Sequence, residues 1–89
     1  MEIQIISEDE LKNKLVIGGH WAKISTRQYT EVINNRTRAD RVKGGWSYII
    51  SFYDNKTYIC TIHRITDRRR RIVHDHPKRA VIDGVNYTI

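Results

Sequence analysis

The sequence predicts an α+β fold, with one or two N-terminal helices packed on a small antiparallel β-meander formed mainly by residues 46–89. Three observations carry that expectation. Helix-capping patterns occur only in the first third, at Ser7 and Ser25. Aromatic and β-branched runs dominate from Trp46 onward, and turn residues punctuate them. With 89 residues, 39% hydrophobic and 29% charged, the chain suits one domain spanning residues 1–89 with one modest core.

Residues Met1 to Ile6 alternate as a first strand. "SEDE" follows, in which Ser7 caps a helix and Glu10 stands three residues on, the capping-box spacing; a short helix through about Leu15 is expected. Gly18 and Gly19 interrupt it. "STRQ" repeats the capping pattern, with Ser25 as cap, Gln28 at the third position, and Ile24 and Tyr29 placed to staple the helix start. Tyr29, Val32 and Ile33 then predict the apolar stripe of a second helix running to about Arg36, laid over one face of the sheet.

After "KGG" at Lys43–Gly45 the period becomes strand-like. "WSYIISFY" and "TYICTIHRIT" are joined by the turn residues "DNK", and "RIVHDH" supplies a third strand, with Pro77 arguing against a central strand pairing just there. In "AVIDGVNYTI" the Asp83–Gly84 pair between two apolar runs is a strong hairpin signal.

Charge is unevenly placed. The formal net charge is +6, yet residues 36–79 carry twelve Lys and Arg against four Asp, a local +8 that leaves −2 on the remainder. A concentrated positive field attracts polyanions, of which nucleic acid is the commonest, with RNA favoured here over DNA. The bases do not lie on a helix with an apolar face, and no apolar run approaches the length of a bilayer span, so a membrane partner is not expected. The acidic N-terminus is unlike a signal peptide, and the single Cys60 allows neither an internal disulfide nor a cysteine-rich zinc module; a cytoplasmic location follows as an expectation.

The chemistry concentrates in "IHRITDRRRRIVHDHPKR", Ile62 to Arg79, with seven Arg and Lys and three His in eighteen residues. A hairpin loop of four residues sets His63 opposite His74; a loop of two sets it opposite Ile72. Either even-numbered loop places Thr61, His63, Ile65, Ile72, His74 and His76 on one face, and Ile62, Arg64, Val73 and Asp75 on the other. Three imidazoles would then stand beside a four-arginine loop. An odd loop or a single bulge would separate them.

Cleavage of RNA through its own 2′-hydroxyl needs a base, an acid and cations that hold the charge of the phosphorane. Histidine suits the first two roles and arginine the third, with no cofactor required. His63 and His74 are the expected acid/base pair with His76 in support. Tyr48, Tyr53 or Tyr58 can stand in for one proton carrier. Arg64, Arg68, Arg69, Arg70, Arg71, Lys78 and Arg79 are expected on phosphate, and Trp21 either stacks on a base or anchors a helix.

Three other readings compete with a metal-independent endoribonuclease. His63, His74 and His76 could ligate a metal, although the neighbouring arginines repel a dication. The histidines could belong to a non-catalytic DNA- or RNA-binding regulator, or the basic surface could dock a small acidic protein partner. Neither glycine pair carries the lysine and hydroxyl of a phosphate loop, Cys60 shows no activating neighbour, and "NRT" at Asn35 is an incidental sequon. In size, charge and helix-then-sheet order the chain resembles the RelE-like ribonuclease toxins. The resemblance covers architecture and no motif: that family sets a catalytic side chain near its last strand, where this chain offers only Tyr87, so no residue role is carried over.

Overall fold

The computed structural model describes residues 2–89. Strand β1 (Ile3–Ile5) leads to helix α1 (Glu8–Ile17), whose start follows the sequence signal: Ser7 Oγ accepts the Glu10 N–H at 3.1 Å, and Glu8, Asp9 and Glu10 place negative charge at the positive end of the helix dipole. Leu11 and Leu15, one turn apart, are fully buried. Helix α2 (His20–Ser25) follows after the glycine pair.

The second expected helix is not where the capping pattern placed it. "STRQ" closes a helix instead of opening one. Ser25 Oγ and Thr26 Oγ1 donate back to the carbonyls of Trp21 and Ala22, and Arg27 turns left-handed at φ 58°. Gln28 N–H reaches Lys23 O and Arg27 N–H reaches Ile24 O, the paired bonds of a Schellman terminus. The side-chain bonds that Ser and Thr offer a helix start serve equally well against the carbonyls of its last turn. Thr30–Arg38 is then strand β2, consistent with its β-branched Thr30, Val32, Ile33 and Thr37.

The remaining strands are β3 (Trp46–Asp54), β4 (Thr57–Thr66), β5 (Ile72–Ile82) and β6 (Val85–Thr88). They form one six-stranded sheet in the order β1-β6-β5-β4-β3-β2, antiparallel except where β1 runs parallel to β6. The architecture is α+β with a predominantly antiparallel meander, enlarged at one edge by β1, a strand the sequence predicts, and at the other by β2, where a helix is predicted. Asp83 (φ 50°) and Gly84 (φ 76°) both take the positive φ of a type I′ turn between β5 and β6, as their dipeptide predicts. Pro77 does not end β5. Its ring is fully buried opposite Ile62, and β6 reaches only to Arg79, so no strand on that side requires a Pro77 N–H.

Alternation sorts the sheet into two faces. One carries Ile50, Phe52, Cys60, Ile62 and Ala80 against Leu11 and Leu15 of α1, Ile24 of α2 and Tyr29. His20 Nδ1 lies 2.7 Å from Tyr29 Oη and ties α2 to the entry of β2. α1, and not a helix containing Tyr29, therefore covers the sheet. β2 is exposed at all nine positions, and its Asn34 bulge and charged Glu31, Arg36 and Arg38 blunt the free edge. Ile62 is buried at the centre of the layer, so Ile62→Ala should lower stability by about 2–5 kcal/mol, read from the midpoint of urea denaturation at unchanged slope.

Candidate functional site

The face turned away from the helices holds the histidines. β4 and β5 are joined by a five-residue loop, Asp67–Arg71, and β5 carries an extra residue at Val73, because Thr66 pairs with Ile72 and Ile65 with His74. The odd loop and the bulge cancel. His63 consequently stands opposite His76, neither of the partners that an even loop predicts, while Ile65 stands opposite His74. Thr61, His63, Ile65, His74 and His76 share the open face, and Ile72 crosses to the other one.

The ring centroids of His63 and His76 are 6.4 Å apart, and those of His76 and His74 are 5.3 Å apart in a stacked arrangement. His63 and His76 line a cleft of about 350 Å³ together with Ser47 and Ile65, closed on one side by the end of β2 and the β2–β3 connection, residues 37–42, which bring both Asp40 and Arg41 to its lining. Gly45 packs that connection so closely on the Thr66 carbonyl that a Cβ there would overlap it.

Each of the two imidazoles has a partner. Ser47, opposite Ile65 on β3, sets its Oγ 2.6 Å from His63 Nε2. Glu8 in the first turn of α1 reaches His76 Nδ1 at 3.2 Å and Lys78 Nζ at 3.8 Å. A carboxylate oxygen only accepts, so in this contact the ring proton sits on Nδ1 and Nε2 is the nitrogen left unengaged. Burial, then the positive Lys78 and the neighbouring His76, hold His63 below the ordinary histidine range. Exposed His74 lies outside the cleft lining.

The arginine loop is ordered by Asp67, whose Oδ1 accepts the N–H groups of Arg69 (2.8 Å) and Arg71 (3.0 Å) while Oδ2 accepts Arg71 Nε at 2.8 Å. Those bonds, the Arg71 N–H foremost, lower the Asp67 pKa. Arg68, Arg69 and Arg71 surround a shallow recess with Lys43 from the β2–β3 connection. The two connections therefore meet, and basic charge runs from the recess to the cleft rim. Arg70, left-handed at φ 65°, departs from its neighbours and lines a depression on the other face with Arg27, Glu31 and Tyr48.

Several expected site residues lie elsewhere. Arg64 is on the helix-side face with its side chain 15% exposed, held by Asp75 through two bonds of 2.8 and 3.0 Å and by Glu31 at 3.4 Å. Burial opposes its charge, but the Asp75 bonds and the nearby carboxylates outweigh that effect and raise its pKa. Trp21 packs against the core beneath Lys12 Nζ at 5.1 Å, an anchor for α2. Trp46 is half-buried outside the core cluster, with the guanidiniums of Arg36 and Arg38 4.5 and 4.4 Å from its ring centre. Burial pushes the Cys60 thiol up to about 12, which leaves it inert. Among the described residues no group of three His, Cys, Asp or Glu is arranged to hold a metal ion, so the three-histidine metal alternative finds no geometry here. Ser47, Glu8 and Arg41 escaped sequence reasoning, since nothing local in the chain links them to the histidines.

The chain matches no known family model, no characterised protein and no solved structure. Among the described residues no helix is long and apolar enough to cross a membrane.

Because folded His63 binds its proton less readily than the unfolded chain does, its contribution is neutral above the ordinary histidine value, and stability falls as pH drops below it. An NMR titration should place the His63 midpoint below that value, and Lys78→Met should move it upward; an unchanged midpoint would remove Lys78 as a cause.

Proposed function

We propose that the protein is an RNA-directed, metal-independent endoribonuclease whose acid/base pair is His63 and His76. The observation that carries the reading is the facing pair itself, 6.4 Å between ring centres in a cleft beside the basic recess of Lys43, Arg68, Arg69 and Arg71. In an in-line displacement the attacking and departing oxygens lie on opposite sides of phosphorus, and with a hydrogen bond of about 2.8 Å to each, the two nitrogens stand roughly 6–8 Å apart.

His63 is the base. Its depressed pKa keeps it neutral near pH 7, and its Nε2 already engages one alcohol, Ser47 Oγ, which a ribose 2′-hydroxyl would displace or join. As the 2′-oxygen bonds to phosphorus, its proton passes to His63; as the bond from phosphorus to the 5′-oxygen breaks, His76 in its imidazolium form gives that oxygen a proton from Nε2, with Glu8 on Nδ1. The products are a 2′,3′-cyclic phosphate and a free 5′-hydroxyl. Lys78 beside His76 and Arg41 in the cleft lining supply positive charge near the phosphorane, and the Arg68, Arg69 and Arg71 recess holds the flanking backbone.

A second reading has its own support. Ser47 and Glu8 satisfy one nitrogen on each ring, as they would on the surface of a binding module without chemistry.

Incubation with RNA in excess EDTA tests both. His63→Ala and His76→Ala should each slow cleavage about 10²- to 10⁴-fold with RNA retention on a native gel unchanged. His74→Ala, outside the cleft, should cost far less. Intact RNA retained by the wild type would establish the binding module, and absence of salt-sensitive retention would direct the basic surface to an acidic protein.

A further inference from the structure

The open face does not stop at the histidine cleft. Following β4 away from the arginine loop, the same face presents Thr61, then Tyr58, which pairs with Tyr53 of β3 because Ile59 is bulged into the core. The two tyrosine rings meet edge to face at 5.7 Å. Arg79, opposite Thr61 on β5, lays its guanidinium 5.4 Å from the Tyr58 ring centre. Both tyrosines are half-buried and Arg79 is exposed, so the cluster is anchored in the sheet yet open to solvent.

Polar groups floor the track between this cluster and the cleft. Tyr58 Oη and Thr61 Oγ1 are 2.6 Å apart, Thr61 and Ser51 hydroxyls 3.1 Å apart, and Asn34 Nδ2 donates to Ser51 Oγ at 2.6 Å. No helix covers this face, because α1 and α2 both pack on the opposite one. Positive charge marks both ends: Arg79 at the tyrosines, and the Lys43, Arg68, Arg69 and Arg71 recess beyond the cleft.

We infer that Tyr53, Tyr58 and Arg79 form a base-stacking subsite for single-stranded RNA lying along the open face. Aromatic rings and guanidinium planes accept unstacked bases of any sequence, and duplex RNA keeps its bases stacked inside where such a surface cannot reach them. Tyr58 and His63 are separated along β4 by roughly 13–16 Å at the usual strand rise, which a few nucleotides of single strand span. A base seated on the cluster would thus lie a short way from the phosphodiester in the cleft. The inference rests on the RNA-directed reading of the face and extends it to the strandedness of the ligand and to three residues that bind without taking part in the chemistry.

The test uses a short 2′-deoxy oligonucleotide, which cannot be cleaved through a 2′-hydroxyl, with affinity read by fluorescence anisotropy across a salt series. Tyr58→Leu should weaken binding roughly 5- to 100-fold, the range for losing one base stack, with the salt slope unchanged. Tyr58→Phe should bind like wild type, and Arg79→Ala should lose affinity and also flatten the salt slope by about one unit. A far-UV spectrum and melting midpoint for Tyr58→Leu matching those of Tyr58→Phe show that the loss is not unfolding. Equal affinity of Tyr58→Leu and wild type, or tighter binding of duplex than of single strand, overturns the subsite. Cleavage assays run in parallel at subsaturating RNA separate the two ideas: single-strand binding that needs Tyr58, without RNA cleavage, supports the subsite and removes the endoribonuclease, whereas cleavage at that RNA concentration undiminished in Tyr58→Leu overturns the subsite alone.

Discussion

The pairing of β4 with β5 is the constraint on which the rest depends. Ile62 and Pro77, opposed and both fully buried, pin the register from the core side, and the bulges at Val73 and Lys78 bracket that fixed segment. A slip of one residue would turn Ile62 to solvent and drive a histidine into an apolar layer, with the cost of a lost core side chain and a buried polar ring together. The apolar face therefore dictates what the polar face displays. His63 meets His76 because Ile62 meets Pro77.

The two faces also divide the charged groups. On the helix side the Arg64 charge is matched by Asp75 and Glu31, which engage its Nε, Nη2 and Nη1. On the open side Glu8 meets Lys78 and His76, Asp40 lines the cleft, and Asp67 is occupied with the backbone and side chain of its own loop. Asp67 orders the loop through Arg69 and Arg71, which with Arg68 surround the recess beside Lys43, while Arg70 lines a depression on the other face. A rigid loop presents its charge at lower entropic cost on binding than a mobile one.

α1 links fold and site. Its Leu11 and Leu15 bury the apolar face, and its first turn extends Glu8 past the end of β6 to His76 and Lys78. One ten-residue helix both closes the core and equips the cleft with its carboxylate.

Local outcomes followed from local signals. The Ser7 cap, the turn at Asp83–Gly84, the aromatic and β-branched runs from Trp46, and the basic stretch around Arg68–Arg71 were legible because each depends on neighbours within a few residues. The shared face of the three histidines was legible in outcome but not in cause, since an odd loop and a bulge cancelled where an even loop was expected. Only tertiary structure decided that Thr30–Arg38 is a strand: its hydroxyl-rich leader caps a helix end as readily as a helix start, and pairing with β3 settles the choice. Tertiary structure likewise chose His76 over His74 as the partner of His63 and brought Ser47 and Glu8 to the two rings. Those contacts join residues 16 and 68 positions apart, and separations of that size leave no periodicity in a chain for local chemistry to reveal.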